Sequence, residues 1–264
     1  MIYRRLEMKS VLEHFSSQGN CLKMTTGSGE LDSLIDGIQE GLFYLFYGDM
    51  LPSEALSHRL LVNSVMSTKE HGFESMAVCF NNTDYYGTGK MILNPEKIAN
   101  VAKAAGIDPN IVSKNLFIQT AYNSQHQRQI ANEISDLIHS NENIKLVVIN
   151  NMTKFFKDSS GHNRPEIANS VKEVISIINR ACSKNKVSLI ITGDSNLSSK
   201  GVIPRPIGGT YLKHIANVIV YIKNIPTSAF LPTFKATLVK HQYLKTPKSA
   251  IVHGRRCGRM MLLN

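Results

Sequence analysis

The residues with the clearest chemical meaning lie between Tyr44 and Leu61. The run Tyr44-Leu-Phe-Tyr-Gly48-Asp-Met-Leu-Pro-Ser53-Glu54-Ala55-Leu-Ser-His-Arg-Leu-Leu61 reads as a buried strand, a turn and a helix with one apolar face. A phosphate-binding loop places G-x-x-x-x-G-K-[ST] at such a turn. Its glycines let backbone N–H groups close around phosphates, its lysine reaches the terminal phosphates, and its hydroxyl holds Mg²⁺. Here Gly48 keeps the first place, while the second glycine is Ser53, the lysine is Glu54 and the hydroxyl is Ala55. A carboxylate in place of the cation turns attraction for a triphosphate into repulsion, on the order of several kcal/mol in a partly desolvated site. The spacing is that of a nucleotide site; the residue types are not. The turn from Gly48 to Ser53 is therefore expected to be closed, with Met50, Leu51 and Pro52 filling space a phosphate would take.

The surrounding sequence gives this loss a context. Thr25-Thr-Gly-Ser-Gly-Glu-Leu-Asp-Ser-Leu-Ile-Asp-Gly-Ile-Gln-Glu-Gly41 precedes the strand. Further on stand Leu93-Asn-Pro-Glu-Lys-Ile98, Ala121-Tyr-Asn-Ser-Gln-His-Gln127, Ile144-Lys-Leu-Val-Val-Ile-Asn150, Pro206-Ile-Gly-Gly209 and Ala236-Thr-Leu-Val-Lys-His241. In this order these segments resemble the RecA-like recombinases, closest to their archaeal RadA/RadB branch, over residues 22–260. The resemblance implies a Walker B strand ending at Asn150, where relatives carry a Mg²⁺-orienting aspartate. It places Asn81, in Asn81-Asn-Thr83, where relatives carry the water-activating glutamate. It also places Asp194 at a polar sensor. An amide brings neither the charge a hard cation prefers nor the basicity that activates water. The chain is thus expected to have no nucleotide cofactor and no metal, and not to be an enzyme.

Two segments match the family's DNA-binding loops. One runs from Lys157 to Arg164, the other from Asn196 through Lys200 to Arg205. Cations there can neutralise phosphates, and Gly161 and Gly201 let the backbone approach a strand. Neither loop holds an aromatic ring, so binding is expected to be weakly sequence-selective.

Charge supports a polyanion partner. Residues 195–264 hold eleven Lys+Arg of the thirty in the chain and no acid. Surfaces normally mix signs. Lys213, Lys240, Lys245, Arg255 and Arg256 therefore join Lys157, Arg164, Lys200 and Arg205 as DNA-contacting candidates, expected to share one positive surface. The four cysteines are scattered without a C-x-x-C pair, which suits reduced thiols in a cytoplasmic protein. His58, His126 and the other histidines show no metal-ligand spacing. No apolar run approaches about 18 residues, and the first residues lack a signal-peptide core, so no membrane partner is expected.

The elements that must carry these residues alternate. Strands are expected at 42–47, 76–80, 115–119, 145–150, 187–192 and 217–222. Helices are expected at 30–36, 53–70, 95–105, 125–140 and 165–184. Ile144 to Ile149 is almost continuously apolar, as in a strand covered on both faces. Strands separated by helices imply crossovers and a parallel sheet. Phe234–Lys240 and Ala250–His253 read as antiparallel strands instead. A chain of 264 residues with 42% hydrophobic content suits one large core. The expectation is an α/β fold: a RecA-like core over 25–264, mostly parallel, with a C-terminal antiparallel extension and a lead segment over 1–24. The function expected is that of a non-catalytic recombinase paralogue. It would bind DNA, preferably single-stranded, and assist recombination and repair beside an active recombinase or another paralogue subunit. The alternatives are a protein-interaction subunit that docks an acidic partner, and a residual nucleotide-binding ATPase.

Overall fold

The apolar strands line up in one nine-stranded sheet, and helices cover both faces. The computed structural model describes residues 21–83, 95–155, 164–196, 202–226, 232–257 and 260–263. Side chains are described for all of these except 164, 165, 167, 209 and 256–263. In chain order the elements are β1 (Lys23–Met24), α1 (Gly29–Ile35), β2 (Ile38–Gln39), β3 (Phe43–Gly48), α2 (Met50–Asn63), β4 (Met76–Asn82), α3 (Pro95–Ala104) and α4 (Pro109–Lys114). There follow β5 (Leu116–Ala121), α5 (Ser124–Ser140), β6 (Ile144–Asn150), α6 (Arg164–Lys184), β7 (Ser188–Gly193), α7 (Gly209–Ile215), β8 (Val218–Ile225), β9 (Thr233–Lys240), β10 (Lys248–Cys257) and β11 (Met260–Leu263).

The strand order is β11-β10-β9-β8-β3-β7-β6-β4-β5. From β8 to β5 all pairs are parallel; β9, β10 and β11 return antiparallel. Every residue of β3 is buried, and β6 is buried except at Lys145, as their unbroken apolar runs require. One core gathers Leu31, Leu56, Leu60, Val148 and Phe234 under α1, α2 and α3. The other gathers Ile134, Ile149, Val174, Ile178 and Ile219 under α5, α6 and α7. Asn123 caps α5, its Oδ1 accepting from the His126 N–H at 2.9 Å.

The expected α/β architecture is therefore present, with three local differences. The helix expected over 53–70 starts at Met50 and ends at Asn63, with a separate 3₁₀ turn at Thr68–Glu70. It stops because the chain folds back on itself: the Ser64 and Met66 carbonyls accept from Ser75 and Glu74 instead of continuing the helix. The short elements α4, α7 and β11 were not expected. Residues 23 and 24, assigned to the lead segment, pair with β2 and so belong to the core. The rest of that segment lies outside the described residues. Among the described residues, no helix is long and apolar enough to cross a membrane, and no cluster of acids, histidines and cysteines could hold a metal ion.

Candidate functional site

The degenerate turn sits at the C-terminal edge of the parallel sheet, where β3 hands over to α2. Gly48 has φ of 127°, and a Cβ there would stand 2.0 Å from the Ile222 carbonyl oxygen of β8. The next residue is clasped to the same strand. Asp49 donates its N–H to the Ile222 oxygen at 3.0 Å, and its Oδ2 accepts from the Asn224 N–H at 2.6 Å. The helix then begins at once, at Met50. The residues that would wrap a phosphate form the first helical turn instead. A helix start offers anions its unbonded N–H groups. Here the Asp49 group is taken and Pro52 has none, which leaves at most those of Met50 and Leu51.

The turn is closed, yet its side chains are not where the sequence put them. Pro52 is buried, whereas Met50 and Leu51 are 54% and 46% exposed, because the helical turn swings them outward. Glu54 occupies the inner side of α2 and pairs with Lys97 of α3. A cation is thus still present beside the turn, but it belongs to another helix and is bound to the carboxylate. The strand β11 also lies against α2, so the chain's own C-terminal segment flanks the site.

Behind the turn lies a buried network of uncharged groups. Ser57 Oγ donates to Asn150 Oδ1 at 2.7 Å, and Asn150 Nδ2 lies 3.4 Å from Cys79 Sγ. Asn82 Nδ2 donates to the Asn150 carbonyl at 2.8 Å, and Gln127 Nε2 donates to Asn82 Oδ1 at 2.8 Å. Burial pushes the Cys79 thiol up to about 12, against the bond from Asn150, so it stays protonated. Asn81 is fully buried, and neither amide atom finds a partner among the described residues. In this layout Asn150 and Asn81 do stand at the sheet's C-terminal edge, on β6 and β4, with Ser57 facing them. None of them offers a carboxylate to a metal or a base to a water.

The sheet order, the turn and this edge together match one group of proteins. The profile of the Rad51 family covers residues 17–227. The chain belongs to that family. It is also similar to the DNA repair and recombination protein RadA of Methanococcus maripaludis, strains C5 and C6. It is 27% identical to each over 236 residues, which span 83% of this chain and 71% of the relative. The Rad51-family relationship places the chain in the RadA/Rad51 branch of the RecA-like recombinases.

In this Rad51-family chain the basic candidates do not form one surface. Register decides this. Lys223 of β8 lies directly opposite Lys235 of β9, and Lys235 lies opposite Ile251 of β10, all three exposed on one face. Opposed like charges weaken a sheet, and among the described residues neither lysine has an acidic partner. Arg255, further along β10, is exposed towards the same end, as is Arg205 near the edge. The Pro204 carbonyl accepts from Tyr47 Oη at 2.9 Å, which ties that segment to the end of β3. Asp194 and Asn196 pair with Ile207 and Arg205 through backbone bonds at its base.

The antiparallel return sends the others elsewhere. Lys240 pairs with Ile219 and Lys248 with Leu238, at the opposite end of the sheet, about 16 Å from Lys235 at the usual rise per residue. Lys245 precedes Lys248 there. The Lys240 ammonium is committed to the carbonyls of Lys213, His214 and Ala216 at 2.9, 3.1 and 2.6 Å. It caps the C-terminus of α7, where a cation suits the helix dipole, and is not free to meet a phosphate. Lys213 lies on the last turn of that helix. Lys157 and Lys200 lie outside the described residues, as do the side chains of Arg164 and Arg256.

Four site residues escaped sequence reasoning: Lys97, Ser57, Gln127 and Thr153. Gln127 carried a signal, being a polar residue at helical spacing from Ile130, Ala131 and Ile134 on the apolar stripe of α5. Lys97 carried none, because its contact with Glu54 spans 43 residues.

Proposed function

We propose that the chain is a non-catalytic recombinase paralogue that binds DNA, preferably single-stranded. It assists homologous recombination and repair in the cytoplasm beside an active RecA-like recombinase. The observation that carries this reading is Glu54, held by Lys97 inside a turn already wound into helix. A nucleotide would have to break that pair and unwind the turn before meeting any phosphate donor. The amides at Asn81 and Asn150 support the same reading, since neither can act as a base or offer a charge to Mg²⁺. Relatives called DNA repair and recombination proteins, and a C-terminal region rich in cations, support a role on DNA.

Two measurements test it. ATP with Mg²⁺ should bind no more tightly than about 1 mM, or about −4 kcal/mol. Micromolar binding by calorimetry, or turnover by the purified protein, would overturn the non-catalytic reading and favour the residual ATPase.

Single-stranded DNA should bind with an affinity that falls steeply with salt, at a log–log slope near −0.7 per phosphate neutralised. The triple variant Arg205→Ala, Lys223→Ala, Lys235→Ala should flatten that slope by about 2 units. Exposed charges contribute little to folding, so its stability should hold. Lys245→Ala with Lys248→Ala, at the far end of the sheet, should leave the slope unchanged. If the native chain ignores DNA at low ionic strength, the basic face belongs to an acidic protein partner.

A further inference from the structure

Between α6 and α7 lies a cavity of about 500 Å³ that the readings above leave unused. Its floor is the apolar stripe of α6, Val171 and Ile175, facing Leu212 of α7. Its polar lining is Thr153, just beyond β6, with Asn196, Tyr211 and Lys172. Thr153 is 1% exposed, and its hydroxyl oxygen has no hydrogen-bond partner among the described residues. A buried hydroxyl without a partner is costly, and such groups mark sites that are completed by something else. Here it opens onto a cavity large enough for a small ligand, with no acid in the lining.

The geometry points to a nucleobase with its attached phosphate as the occupant, presented by a bound single strand. The aliphatic floor and the Tyr211 ring suit the faces of a flat heterocycle. The Thr153 hydroxyl and the Asn196 amide can both donate to and accept from its edge. Lys172, exposed on α6, is the cation that neutralises the phosphate. A single strand offers such a base at low cost, since no partner base must be lost. The inference rests on the DNA-binding reading and adds base contact to a surface otherwise expected to hold only phosphates.

The test follows the methyl resonances of Val171, Ile175 and Leu212 in the methyl-labelled full chain. A mixed-sequence strand should shift them; an abasic strand of equal length should bind with the same salt slope and leave them still. The four deoxynucleoside monophosphates should shift the same methyls, but only at millimolar concentration. Thr153→Val should weaken that response about tenfold, the loss of one hydrogen bond, while thermal stability holds or rises because an unpaired buried hydroxyl is gone. Ala168→Phe, which fills the cavity mouth, should abolish the shifts and keep salt-dependent binding. Methyls that stay still with the mixed strand, or move equally with the abasic one, would overturn the proposal while the DNA reading stands. Shifts by monophosphates at micromolar concentration with the strand silent would overturn the strand as source and make the ligand a free nucleotide. A stability loss in Thr153→Val with unchanged response would overturn the hydroxyl's role. If neither strand binds at low salt, both readings fail together.

Discussion

Replacing Gly48 by alanine should destabilise the protein by about 3–5 kcal/mol, enough to empty the folded state of a marginal domain. The methyl group would arrive 2.0 Å from the Ile222 oxygen, a backbone atom already accepting from Asp49, at a φ of 127° that side chains avoid. Neither partner can step aside without opening β3 from β8. Two other glycines separate sterics from backbone strain. Gly106, with φ of 74° and nothing within 4 Å of a Cβ, should cost about 1 kcal/mol as alanine. Gly29, at the start of α1 and equally open, should change stability by less than about 0.5 kcal/mol. Denaturant unfolding of the three variants checks the series. A mild loss for Gly48→Ala would mean that the turn is looser than the clasp through Asp49 indicates.

Stability should also fall in mild acid, through His58. This side chain is 1% exposed on α2, and its Nε2 has no partner among the described residues. Burial, and then the neighbouring Lys97 ammonium, push its pKa from the usual 6.5 down to about 4, against a bond to the Glu54 backbone. The folded chain therefore resists a proton that the unfolded chain accepts. The contribution is fully present above pH 6.5 and is lost as pH falls towards 4, in all about 3 kcal/mol at 1.36 kcal/mol per pH unit. Other groups titrate in that window, so the measure is the difference between the native chain and His58→Leu. The native curve should drop more steeply with acid, and the two should converge below about pH 4. Parallel curves would show that His58 reaches water. The same Lys97 that neutralises Glu54 opposes charge on His58, so the site favours one carboxylate, one ammonium and a neutral ring.

Much of this protein was legible without its fold. Short apolar runs alternating with amphipathic stretches dictate a parallel α/β sheet, because both patterns are local and repeat within one element. The residue types at 54, 55, 81 and 150 depend on no geometry at all. A carboxylate, a methyl and two amides cannot perform the chemistry of a lysine, a hydroxyl and two acids wherever they stand. The C-terminal run free of acids was equally plain.

What the tertiary structure alone decided depends on contacts between residues distant in sequence. It gave Glu54 a partner in Lys97, 43 residues away. It wound the phosphate turn into helix because Asp49 is clasped by β8, a strand that no local pattern links to it. It divided a basic segment that looked continuous, since an antiparallel return carries alternate lysines to opposite ends of the sheet. It turned Lys240 from a candidate for phosphate into a helix cap, and it left the Thr153 hydroxyl facing a cavity. Residue type determines which chemistry is possible; register and packing determine which groups meet to perform it.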